Sequence, residues 1–200
     1  MAKDIEPFVS ALRDLSDALD HEGIDWAVAG AVAANNYRDA ALTTAVLDVM
    51  LALAGNDISD VQDAFHQRGW TTIAVAKDFL LRVEHPQAGR LDLMVSGTDY
   101  ETGAIARAHQ VDYDERLSFK MLAVEDVVIL KLIADRMQDG ADIESILVAQ
   151  PHFDHEYMAR WFEEFVHLNL GERFKRMEAN AMERGLLRKR NARKSDLPDH

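Results

Sequence analysis

Two carboxylates stand in strongly apolar company: Asp48 in "LTTAVLDVML" (residues 42–51) and Asp92 in "RLDLMV" (residues 90–95). An ionised carboxylate inside an apolar strand is costly unless a cation compensates it. Two of them on neighbouring strands can share a divalent ion of the Mg²⁺ or Mn²⁺ kind, which takes oxygen ligands. Arg82 and Arg90 also lie close in sequence, and pairing the acids with them explains the same residues without a metal. A third feature is Gly30, which closes the apolar run "IDWAVAG" and precedes the helix-forming "AVAANNY". A helix that opens directly after a glycine turns free backbone N–H groups outward, a natural seat for phosphate. A phosphate seat facing two acids is the layout expected for a nucleotide and a cation.

Position 46 bears on how much chemistry that layout can do. Residues two apart on a strand face the same way, so a second acid sharing the face of Asp48 would stand at position 46, and Val46 stands there. Valine offers no oxygen. With Asp48 and Asp92 alone, Mg²⁺ must take its other ligands from water and phosphate. The residues leave two readings open: a metal-dependent site with one ligand missing, or an apolar strand with one stray acid.

The elements that position these residues follow from periodicity. Ile5, Phe8, Leu12, Leu15 and Leu19 fall at helical spacing over residues 4–21, ending near Gly23. "TTAVLDVMLAL" is apolar nearly throughout and reads as a strand buried on both faces. "DISDVQDAFHQRG" reads as a helix capped by Asp57 or Ser59. "WTTIAVA", "FLLRVEHP" and "RLDLMVSG" are strand-like, "YETGAIARA" is a short helix and "LSFKMLAV" a last strand. From Glu125 on, "EDVVILKLIADRM", "ADIESILVAQ", "HEYMARWFEEFVHLNL" and "GERFKRMEANAMERGLL" read as helices. The expected fold class is α/β (α+β): a small mixed sheet flanked by helices over residues 1–124, then a helical part with a basic tail over residues 125–200.

Composition narrows the function classes. The net charge of −13 divides unevenly: residues 1–170 carry 13 Lys+Arg against 30 Asp+Glu, and residues 171–200 carry 9 against 5. An acidic body repels nucleic-acid phosphates, whereas "LLRKRNARK" near the end reads first as a solvated helix end with a loose terminus, and otherwise as a segment that attracts phosphates or docks on the acidic body. The absence of cysteine excludes disulfides and thiolate metal sites and fits a cytoplasmic setting. No apolar run is long enough to span a bilayer, and the start "MAKDIEPFVSALRDL" has no export-signal pattern, so no membrane partner is expected.

The stretch from Trp26 to Leu53, together with "RLDLMVSGTDYE" and "VEDVVILKLIADRMQDGADIESIL", resembles the nucleotidyltransferase fold of the DNA polymerase β superfamily. It is most similar to the AbiEii-type bacterial proteins, many of them toxins of toxin–antitoxin pairs, over roughly residues 24–148. The resemblance implies that Gly30 is the first glycine of the phosphate turn and Thr44 the motif threonine. Asp48 and Asp92 become the second and third carboxylates, catalytic and metal-binding. Glu125 and Asp126 match the acidic helix start, and Lys131, Arg136, Asp139 and Asp142 the helical fingerprint, with Lys131 and Arg136 directed at the nucleotide. Ala31, Leu42 and Val46 depart from the pattern at the second glycine or serine, the motif arginine and the first metal-binding aspartate.

The implied function is nucleotidyl transfer from a nucleoside triphosphate to an RNA (tRNA) or protein acceptor, with weakly held Mg²⁺ or Mn²⁺ and a cognate antitoxin as partner. The rival expectations are a catalytically inactive member of the fold that binds a nucleotide or protein, and an antitoxin-like or regulatory subunit. Several residues have plainer readings too. Lys131 pairs with Asp135 at i,i+4. Asp139 and Asp142 cap a helix. Trp70 and Trp161 are core or interface aromatics. His152, Asp154 and His155 form a loose candidate metal cluster.

Overall fold

The computed structural model of the protein describes residues 6–39, 46–76, 79–115, 117–150 and 152–195, without the side chains of residue 6 and residues 186–195. The chain divides into two compact units, one of Met1–Ala33 with Leu42–Ala123 and one of Ala34–Ala41 with Val124–His200.

The first unit is built on a seven-stranded mixed sheet. Its strands are β1 (Asp25–Val28), β2 (Val46–Ala52), β3 (Thr71–Ala76), β4 (Leu80–His85), β5 (Gly89–Val95), β6 (His109–Asp114) and β7 (Leu117–Met121). They lie in the order β3-β4-β5-β2-β1-β7-β6. β2 runs parallel to β5 and antiparallel to β1, and β1 pairs parallel with β7. The helices of this unit are α1 (Glu6–Leu19), the start of α2 (Gly30–Asn36), α3 (Ile58–His66) and α4 (Asp99–Arg107).

Side chains alternate along each strand, and the register ties the rows together. Leu47, Val49 and Leu51 of β2, Leu91 and Leu93 of β5, and Leu81 and Val83 of β4 fall in the same alternate set, and all are buried. α1 packs on β5 and β7, and α3 on β3 and β4. Leu12, Leu15 and Leu19 of α1 and Val61 and Phe65 of α3 are buried at helical spacing, which is why those helices form where periodicity places them. Asp57 begins α3, its N–H donating to Asp60 Oδ2 at 2.9 Å.

Two expectations need correcting here. β2 is not covered equally on both faces: Val46, Asp48 and Ala52 are only half-buried, with Met50 alone of that row buried. An apolar run does not reveal which of its two rows lacks a cover. β6, "HQVDYD", was not expected as a strand. It is an edge strand with mostly exposed residues, so no hydrophobic alternation marks it.

The second unit holds the rest of α2 and the helices α5 (Val124–Ala134), α6 (Met137–Ala149), α7 (His155–Glu164) and α8 (Leu170–Ser195). α6 begins two residues before "DG" and takes that pair into its first turns, so the separator expected there is shorter than the sequence suggests. Asp135, at φ +51°, makes the break instead. α6 packs on α5 and α8, and its Ile143 and Ile146 are fully buried. Among the described residues no helix is long and apolar enough to cross a membrane.

Candidate functional site

The register of the sheet brings the two lone acids side by side. Asp48 pairs with Asp92 across the parallel β2–β5 ladder, and Asp92 pairs with Arg82 across the antiparallel β5–β4 ladder. Directly opposed residues on neighbouring strands point to the same face, so Asp48, Asp92 and Arg82 form one row. The next row is Val46, Arg90 and Glu84. A cavity of about 510 Å³ opens at this second row, lined by Val46, Thr71, Glu84, His85, Gly89 and Arg90.

Arg82 grips Asp92 with both arms of its fork. Its Nε donates to Oδ1 at 2.8 Å and its Nη2 to Oδ2 at 2.6 Å. Arg90 adds an ion pair, Nε to Oδ1 at 3.3 Å. The hydrogen bonds that Arg82 donates to Asp92, and the charge of Asp92, raise the Arg82 pKa above the ordinary arginine value, burial works against that, and the charge of Asp48 adds to the rise. Asp92 is 8% exposed and Arg82's side chain 32%, so the pair is screened by solvent on one side only.

Gly30 opens α2 immediately after β1 and lies against Asp48. Its φ is +58°, and a Cβ built on it would fall 2.0 Å from Asp48 Oδ2 and 2.6 Å from Asp48 Cβ. Only a residue without a side chain fits, for both backbone and steric reasons. Ala29 N–H donates to the Asp48 carbonyl at 2.9 Å, fixing the turn to the strand. Thr44 and Leu42 lie outside the described residues.

A divalent cation of the kind the resemblance implies does not fit the side chains as placed. Such an ion needs about six oxygen ligands. Both oxygens of Asp92 are engaged by Arg82, with Arg90 beside one of them. Val46 contributes no oxygen, and its neighbour in the row is the cation Arg90. Among the described residues no group of three or more His, Cys, Asp or Glu side chains is placed to hold a metal.

The helical fingerprint forms an ion-pair network inside the second unit. Lys131, 5% exposed, donates from Nζ to Asp139 Oδ1 at 3.1 Å and Asp142 Oδ2 at 2.6 Å. Its neighbour Asp135 instead pairs with Arg173. Arg136 donates from Nε to Asp139 Oδ2 at 2.7 Å. Asp139 also accepts the backbone N–H of Arg136 at 3.2 Å, so it does close the N-terminus of α6. Asp142 does not cap: it takes Arg38 Nη1 at 2.6 Å as well as Lys131. For Asp139, burial raises the pKa, but hydrogen bonds from Arg136 and Lys131 and their charges outweigh it and hold the carboxyl below its ordinary value.

Glu125 and Asp126 open α5 as ligands for backbone and hydroxyl donors. Glu125 Oε1 accepts the Asp154 N–H at 3.0 Å, and Asp126, fully buried, accepts the Tyr157 hydroxyl at 2.6 Å. Asp154 caps α7 by accepting from Tyr157 N–H at 2.9 Å, and the His155 ring packs near Phe153 and Phe174. Trp70 is buried, edge-on to Phe65, with its indole N–H on Asp14. Arg38 is the residue that sequence reasoning missed. An arginine in "NNYRD" carries no periodic signal, and only folding brings it to Asp142, 104 residues away.

The fold is shared with solved structures of nucleotidyltransferases. The crystal structure of the lincosamide antibiotic adenylyltransferase LnuA, lincomycin-bound, matches at a TM-score of 0.52 and 12% identity, over 68% of this chain and 94% of that one. An antigenic nucleotidyltransferase-like protein from Paracoccidioides brasiliensis matches at 0.49 and 15%, over 70% and 74%. The antibiotic-resistance factor ANT(2'')-Ia matches at 0.47 and 14%, over 93% and 97%. The protein has the mixed α/β fold of the nucleotidyltransferases, and identity this low shows that fold alone. No protein-family model matches the sequence, and no curated protein matches it. The likenesses reach the nucleotidyltransferase fold and stop short of the AbiEii type.

Proposed function

We propose that this chain is a nucleotidyltransferase-fold protein that takes a nucleoside triphosphate beside Gly30, Asp48 and Asp92, with its transfer activity reduced to a residual level. The observation that carries the reading is the in-register Asp48–Asp92 pair with the Gly30 backbone seated against Asp48. A glycine turn that opens a helix offers backbone N–H groups to phosphate, and Arg82 and Arg90 offset the charge of the acids beside it. The bidentate hold of Arg82 on Asp92 favours a non-catalytic form that binds a nucleotide or a protein partner. An RNA (tRNA) or protein acceptor and a cognate antitoxin follow from the sequence resemblance alone.

Calorimetry with each nucleoside triphosphate tests the binding half of the reading. Saturable binding weakened by Gly30→Ala supports it, and no binding of any triphosphate removes it. Incubation with labelled triphosphate, Mg²⁺ or Mn²⁺, and total RNA or lysate tests the catalytic half. Faint labelling agrees with the reading. Robust labelling that Asp92→Asn abolishes would show full catalytic competence and overturn the claim of reduced transfer.

A further inference from the structure

We propose that the Arg82 guanidinium is the built-in counter-cation of the Asp48–Asp92 pair, standing where a divalent metal would otherwise bind. The proposal rests on the assignment of that acidic pair and not on nucleotide binding. Three observations carry it. Arg82, Asp92 and Asp48 are consecutive members of one row across β4, β5 and β2. The fork of Arg82 takes both oxygens of Asp92, at 2.8 and 2.6 Å, so the lone pairs a metal would use are already directed at nitrogen. Arg90, the cross-strand partner of Val46, approaches Asp92 Oδ1 at 3.3 Å from the adjoining row.

Formal charges point the same way. Arg82 is set against Asp92 in one row and Arg90 against Glu84 in the next, so the three acids and two guanidinium groups leave a formal charge of −1, too little to draw a divalent ion in past both arginines. A divalent ion placed there would face two positive side chains at close range and would have to displace Arg82 from an oriented, charge-assisted contact. Removing Arg82 reverses both conditions. The formal charge of the two rows becomes −2, and Asp92 Oδ2 is released beside Asp48 while Arg90 stays near Oδ1. Neighbouring strand residues lie roughly 5 Å apart, a spacing at which both carboxylates reach one ion. Arginine also suits the task better than lysine, because a planar fork matches two carboxylate oxygens and an ammonium matches one.

The test is Mn²⁺ titration of the full chain, followed by electron paramagnetic resonance of free Mn²⁺, without nucleotide. The parent and Asp92→Asn are expected to give the same weak response, because the pair takes no metal in the parent. Arg82→Gln is expected to gain one saturable site at least ten-fold tighter than anything in the parent. That site should disappear in the Arg82→Gln/Asp48→Asn double variant. Arg82→Lys, which keeps the charge but not the fork, should fall between. One saturable Mn²⁺ site in the parent that Asp92→Asn abolishes would overturn the proposal, and this arm needs no arginine variant to fold. A folded Arg82→Gln with no gained site would overturn it equally. Neither result bears on triphosphate binding, which is measured separately.

Discussion

Gly30→Ala is expected to destabilise the protein by about 2–5 kcal/mol, from two separable costs. The backbone at φ +58° must hold an L-residue in the left-handed region, at roughly 1–2 kcal/mol. The added methyl would lie 2.0 Å from Asp48 Oδ2 and 2.5 Å from its Cγ, so the carboxylate must swing away or the turn must shift. Overpacking of this kind costs about 1–3 kcal/mol. Gly23 provides an internal control. It has φ +66° but nothing within 4 Å of its built Cβ, so Gly23→Ala should show only the backbone cost of roughly 1–2 kcal/mol. Urea unfolding of both variants measures the difference.

A double-mutant cycle then assigns the excess. Asp48→Ala leaves a Cβ at 2.6 Å and should relieve only part of the strain, whereas Asp48→Gly removes the whole obstacle. The cost of Gly30→Ala should therefore be smaller in the Asp48→Gly background than in the parent. If Gly30→Ala costs no more than Gly23→Ala, or if the cycle shows no coupling, the close approach of Gly30 to Asp48 is wrong, and the site built on it goes with it.

Asp139→Asn should cost about 1–3 kcal/mol, because it takes a charged acceptor from Lys131, which keeps Asp142, and from Arg136, which is largely exposed. The folded-state pKa of Asp139 lies below its ordinary value, so its contribution is present above about pH 4 and is lost as pH falls through the folded value. Thermal unfolding from pH 7 downwards should show the parent converging on Asp139→Asn at the acid end, and two parallel curves would refute the assignment. Tyr157→Phe removes the hydroxyl that donates to Asp126, which has no exposure to water. The cost should be about 1–3 kcal/mol in urea unfolding, and a neutral substitution would mean the contact contributes nothing to α5–α7 packing.

The sequence by itself determined the elements whose periodicity is strong. Leu12, Leu15 and Leu19 announce α1, and the apolar runs around Asp48 and Asp92 announce β2 and β5, because a buried stripe leaves a repeat that needs no partner to be read. It also singled out Gly30, since a glycine between a strand and a helix marks a turn that a side chain would obstruct, and it offered Arg82 and Arg90 as partners for the acids. Tertiary structure decided the rest. That Asp48 and Asp92 are cross-strand neighbours depends on β2 and β5 pairing in parallel with this register, and a slip of one residue would put them on opposite faces. The choice between metal and arginine for Asp92 came from β4 adding on the far side of β5, which sets Arg82 opposite the acid. Lys131 found Asp139 and Asp142 rather than Asp135, and Arg38 joined them from a hundred residues away. Local spacing records only what one segment offers, whereas the partner of a buried charge is set by whichever segment folding brings within reach of it.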